Sequence, residues 1–131
     1  MKYNMLLDDF RTVEQIKTRV NLPNNFCVLV TNYHDFVAHI EKHGLVNIVA
    51  ISWDHDLGDA AMAEALRNNF QAFDYNNPNG EKTGYDCVKW LINYCIENKL
   101  PITFQNFYHT ANPVGAANMK SYINSYIKSN A

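Results

Sequence analysis

The 131-residue chain has no basic excess: 11 Lys and Arg stand against 13 Asp and Glu, for a formal net charge of -2 and a pI of about 6.2. This excludes a general DNA binder or membrane-surface protein, whose affinity comes from counterion release, and leaves only a local basic patch open. Apolar runs long enough to cross a membrane are also missing. The N-terminal "MKYNMLLDDF" breaks its short apolar stretch with two acids, unlike a signal peptide. A cytoplasmic chain with no membrane partner is expected. Cysteine is scarce. Cys27, Cys87 and Cys95 are odd in number and fit neither a disulfide framework nor a zinc site. Cys87 and Cys95, eight apart, would lie about 12 Å apart along a helix, as reduced thiols. Without repeats or a low-complexity linker, a single domain over residues 1–131 is expected. What is plentiful is core-forming material: 47% hydrophobic and 13% aromatic residues, the composition of a globular domain.

Periodicity divides the chain into alternating strands and helices. Lys2 to Leu7 reads as a strand ending at Asp8-Asp9. Thr12 to Val20 carries the helical stripe Val13, Ile16 and Val20. After the Leu22–Asn25 turn, "FCVLV" (Phe26 to Val30) reads as a buried strand. Asn32 can cap a helix with Phe36, Val37 and Ile40 on one face, closed by Gly44. "NIVAIS" is a continuous apolar strand of the kind found in parallel sheets covered on both faces. An insert follows, roughly residues 59–83, with a helical "AAMAEALRNNF" and a turn-rich "DYNNPNG". Gly84 to Glu97 is amphipathic, with Trp90 expected in the core, "PITFQNFY" reads as a fourth strand, and Ala116 to Ile127 as the last helix. The order β-α-β-α-β-(insert)-α-β-α predicts an α/β fold with a parallel sheet of about four strands and helices on both faces.

Such sheets bind ligands beyond the carboxyl ends of their strands. Asp8 and Asp9 follow the first strand, Asp54, His55 and Asp56 the third, and His109, Thr110 and Asn112 the fourth. Converging carboxylates repel one another unless a positive partner lies between them. A shell of carboxylates, carbonyls and water suits Mg²⁺, Ca²⁺ or Mn²⁺ better than zinc. If the third strand persists, its alternation points Asp54 and Asp56 the same way. The plainer reading has Asp8 or Asp9 capping the first helix, Asp56 shaping a turn and Asp54 alone in a polar pocket. His55 and His109 are candidate acids or bases, because imidazole titrates near neutrality. His34, His39 and His43 read as a solvated helix face. In "HTANPVG", Thr110 and Asn112 offer neutral donors, and the backbone around Gly115 opens a helix whose free amides could take an anion. An ordinary cap by Asn112 with Pro113 next accounts for the same residues. Arg11 could reach a phosphate.

The acid pair Asp8-Asp9, the acid Asp54 and the hydroxyl residue Thr110 resemble the receiver domains of two-component response regulators. In that family such positions hold Mg²⁺ and accept a phosphoryl group. The resemblance implies a receiver-like (flavodoxin-like) sheet. The receivers' fifth strand and its lysine find no counterpart here, which argues against ordinary phosphorelay. "LLDDFR", "ISWDHDLG", "TGYDCVKWL" and "HTANPVGAANM", in that order, resemble more closely the cyclic-phosphate processing receiver domains of bacteria and their viruses. That likeness implies a metal-dependent phosphoesterase acting on cyclic phosphates of RNA ends or nucleotides. Mg²⁺ or Mn²⁺ would be held by Asp8, Asp9, Asp54 and Asp56. Catalytic roles would fall to Asp54, His109 and His55, and phosphate binding to Arg11, Thr110, Asn112 and Gly115. A covalent phosphoryl group on Asp54 is a variant of this mechanism. The alternative is a non-enzymatic receiver-like module that binds a nucleotide or a protein, with Phe70, Phe73 and Tyr75 of the insert as a partner surface.

Overall fold

The computed structural model describes residues 1–57 and 83–129. The expected helix "AAMAEALRNNF", the loop after it and the aromatic residues Phe70, Phe73 and Tyr75 lie outside the described residues. The elements are β1 (Tyr3–Leu7), α1 (Val13–Lys17), β2 (Phe26–Val30), α2 (Tyr33–His43), β3 (Ile48–Trp53), α3 (Gly84–Asn98), β4 (Gln105–Tyr108) and α4 (Pro113–Ser129). All strand pairs are parallel, and the order across the sheet is β2-β1-β3-β4. This is the flavodoxin-like order, with its topological switch between β1 and β3.

The direction of each crossover decides which face a helix covers. β1 to β2 steps one way across the sheet; β2 to β3 steps back past β1. Right-handed connections therefore put α1 and α2 on opposite faces. Burial agrees. Met5 and Leu7 of β1 pack with Phe36 and Ile40 of α2, Val88 and Leu91 of α3, and Met119 and Ile123 of α4 in one core. Leu6, on the other face of β1, and Ile16 of α1 are equally buried but lie outside that core.

Five expectations change. β2 is not buried: among the described residues it is an edge strand with a neighbour on one side only, and Phe26 is 61% exposed. α1 is shorter than its stripe, because a capping box between Thr12 and Gln15 starts it and it ends at Lys17. β4 begins at Gln105 rather than Pro101, whose missing N–H cannot join a ladder. Its following helix starts earlier, at Pro113, because Asn112 caps it. His39 is half-buried, not solvated, and shares a 2.7 Å hydrogen bond with the Tyr3 hydroxyl. Cys87 and Cys95 are free thiols in the core, and burial pushes the Cys95 thiol up to about 11. No helix among the described residues is long and apolar enough to cross a membrane.

Candidate functional site

The ends of β1, β3 and β4 meet at the switch point. The backbone ties them together: Asp54 N donates to Leu7 O at 3.2 Å, and His109 N to Trp53 O at 3.1 Å. Asp8, Asp54 and His109 are thereby delivered as the first residue past each strand. All three are buried, and each offers one ligand atom within 4.8 Å of the other two.

Asp8 is the most tightly held. One carboxylate oxygen accepts from the amides of Phe10 (2.8 Å) and Arg11 (2.9 Å). The other accepts from the Arg11 guanidinium at 3.0 Å and faces His109 Nε2 at 2.9 Å. Burial opposes ionisation of this group. The hydrogen bonds from His109, the two amides and Arg11 outweigh it and hold the carboxyl well below the usual carboxylate range. Asp54 goes the other way. Burial, and then the negative charge of Asp8, raise it; a hydrogen bond from the Thr110 hydroxyl and the charges of His109 and Arg11 only partly compensate. Arg11 Nη1 lies 3.7 Å from Asp54, so one guanidinium spans both acids. Two carboxylates in one pocket with opposite shifts form a divided pair: the surroundings of one favour its charge, and those of the other oppose it.

The remaining candidates separate. Asp9 is half-buried and supplies none of the three clustered atoms. Neither Asp8 nor Asp9 caps α1; Thr12 does. Asp56 is outside the cluster because β3 stops at Trp53, so the alternation expected to align it with Asp54 never extends that far. Its side chain is 67% exposed and meets His55 Nδ1 at 3.1 Å. The His55 ring lies against Gly115, where an added Cβ would come within 2.4 Å of the ring carbon Cγ. Gly115 is thus a packing residue. Its amide is no free anion site, because it donates to Asn112 Oδ1 at 2.9 Å. Thr110 Oγ1 also accepts from the Asn112 amide at 3.2 Å, which shapes the turn before α4.

Two residues, Ser52 and Arg19, escaped the sequence reading. Ser52, fully buried within β3, places Oγ 2.6 Å from His109 Nδ1. A hydroxyl inside an otherwise apolar strand, two residues before the key acid, was the available signal. Arg19 donates to the His109 carbonyl at 3.3 Å across 90 residues of sequence, which local pattern cannot show. Gly84 lets the start of α3 dock on the loop after β3: its amide donates to His55 O at 2.7 Å, and a Cβ there would sit 1.7 Å from the Asp54 carbonyl oxygen.

Comparison with known proteins gives one family. A family model described as the cyclic-phosphate processing receiver domain matches residues 3–125. Among solved structures, the chain is similar to a response regulator receiver domain protein from Clostridium thermocellum. That pair is 11% identical with a TM-score of 0.42, over 99% of this chain and 97% of that one. No curated protein matches.

Proposed function

The chain belongs to the cyclic-phosphate processing receiver domain family, and from that premise we propose that it is a metal-dependent phosphoesterase acting on the cyclic phosphate of RNA ends or nucleotides. The observation that carries this reading is the convergence of Asp8, Asp54 and His109 at the sheet's switch point. Two buried carboxylates, one of them raised by the other's charge, are a donor set that a divalent cation would satisfy. Their carboxylate oxygens suit Mg²⁺ or Mn²⁺. When bound, the cation would draw charge from a phosphoryl oxygen.

The chain's own groups supply the rest. Asp8 and Asp54 would bind the cation. Arg11, which now spans the two acids, would release them and turn to a phosphate oxygen. Thr110, through its hydroxyl, and Asn112, through its side-chain amino group, would donate hydrogen bonds to further phosphate oxygens. His109 would hand a proton to the leaving ribose oxygen or take one from the attacking water.

The test is ³¹P NMR of a 2′,3′-cyclic nucleotide with the protein and Mg²⁺, beside the Asp54→Asn variant. A monoester resonance formed by the wild type alone is expected, and its chemical shift shows which oxygen leaves. One observation favours a second reading. Arg11 spans both acids, as suits a module that only binds nucleotides. Line broadening with no new resonance would select that reading.

A further inference from the structure

Single exposed apolar side chains are ordinary, so their position decides which of them carries meaning. Met1, Phe26 and Val46 are exposed where β1, β2 and β3 begin, at the pole of the sheet away from the site. Phe10 is 73% exposed at the other pole, two residues past Asp8. Its backbone is fixed even though its ring is not covered. The amides of Phe10 and Arg11 both donate to the same Asp8 oxygen, at 2.8 and 2.9 Å. The Arg11 guanidinium stands over the ring, with Cζ 5.8 Å from its centroid, within the reach of a cation–π contact. The same guanidinium lies 3.0 Å from Asp8 and 3.7 Å from Asp54. One cation therefore joins an exposed aromatic ring to the two buried acids.

We propose that Phe10 is the platform on which the site stacks a nucleobase, so that its ligand is a nucleoside phosphate and not a bare phosphate ester. The guanidinium takes one face of the ring, and the exposure of the side chain leaves the other face open. Every base has a π face, so an aromatic ring of this kind holds a base whatever its identity. The spacing suits one nucleotide. Its phosphate and its base are separated by a single ribose, and the two groups that would hold them, Arg11 and the Phe10 ring, are 5.8 Å apart on adjacent residues. Both are carried by a loop whose amides are tied to Asp8, so the two ends of the ligand are gripped in a set relation to the acids. The phenyl ring has no polar atom with which to read a base edge. It gives affinity for a nucleoside without choosing among bases. Loss of such a platform is expected to weaken binding about 5- to 150-fold.

The inference names the ligand class of the proposed site and rests on that reading for its phosphate half. The test is calorimetric titration of the full chain with Mg²⁺. The probes are adenosine 2′- and 3′-monophosphate, the products that ring opening can give, and inorganic phosphate, which has no base. In Phe10→Ala the nucleotide dissociation constants should rise by the factor above, while that for phosphate stays within about twofold. Phe10→Leu keeps apolar bulk but has no π face, and it should lose nearly as much. Phe10→Trp should bind the nucleotides at least as well as the wild type. All three variants should melt with the wild type, because the side chain is exposed and the backbone bond to Asp8 remains. A short RNA ending in a 3′-phosphate should lose the same factor in Phe10→Ala. Tighter binding of that RNA than of the mononucleotide would identify RNA ends as the source of the base, and equal binding would identify free nucleotides. Unchanged nucleotide affinity in Phe10→Ala, or equal weakening of nucleotide and phosphate, would overturn the stacking role and leave the proposed function standing. A wild-type chain that binds neither probe would overturn both.

Discussion

β2 and β3 read alike in the sequence, as short continuous apolar runs, and both pair with β1. They have different fates. β3 lies between β1 and β4, is buried almost throughout, and ends in Asp54. β2 is the sheet's edge, is largely exposed, and ends in Thr31 and the Asn32 cap of α2. Hydrophobicity marks a strand, but the number of neighbours decides what the strand can carry. A buried carboxylate needs backbone and side-chain partners from several directions at once. Only an inner strand end, flanked by Leu7 on one side and His109 on the other, supplies them.

The largest effect should come from the inner strand end. Asp54→Asn is expected to lower turnover of a 2′,3′-cyclic nucleotide by at least about 100-fold. It should also raise the metal-free melting temperature, because the charge it removes is one that burial and Asp8 disfavour. A variant that turns over normally would break the assignment. Next is the joint behind that acid. Gly84→Ala drives a Cβ into the Asp54 carbonyl, a backbone atom that cannot swing aside. It should cost about 1–3 kcal/mol or more in denaturant unfolding. In Gly115→Ala the nearest atoms belong to the His55 side chain, which can move, and the change should cost less.

A smaller and two-sided effect is expected of pH in the metal-free protein. Asp54 is raised, so protonation favours the folded state as pH falls through its elevated range. Asp8 is depressed, so its contribution is full above the unfolded value of about 3.9 and is lost as pH falls below it. Melting temperature should therefore climb slightly from neutrality into the acid range and then drop. In Asp54→Asn the climb should vanish and the drop remain. The smallest effect belongs to the edge. Phe26→Thr should change unfolding free energy by no more than about 0.5 kcal/mol, and a large loss there would show β2 packed against something beyond the sheet.

How much of this was readable depended on the range of each interaction. Alternation of elements, and the rule that ligands gather at strand carboxyl ends, located Asp8, Asp54 and His109 correctly at one edge, because those follow from chain order and chirality. The family match over residues 3–125 agrees with a resemblance that was equally visible. Ranking among neighbours was not readable. Whether Asp54 or Asp56 turns inward depends on β3 ending at Trp53, a boundary set by pairing with β1 and β4. Exposure of β2 depends on having no strand beyond it. The serine behind His109 lies 57 residues away in sequence. Gly115, read as an anion cradle, is instead the floor under His55, a contact that no local pattern encodes.

The clasp between Gly84 N and His55 O has a consequence for how such a chain can diversify. His55 and Gly84, which flank residues 58–82 in the sequence, are pinned together by that hydrogen bond and by the close approach of Gly84 to the Asp54 carbonyl. Closing a loop costs entropy that grows only with the logarithm of its length, about 0.6 kcal/mol for each doubling. With both ends clasped, the length of the intervening chain is nearly decoupled from the positions of Asp54 and His55. Changing the number of residues between His55 and Gly84 should therefore cost the site little, and a new specificity can be spliced in at that point of the chain.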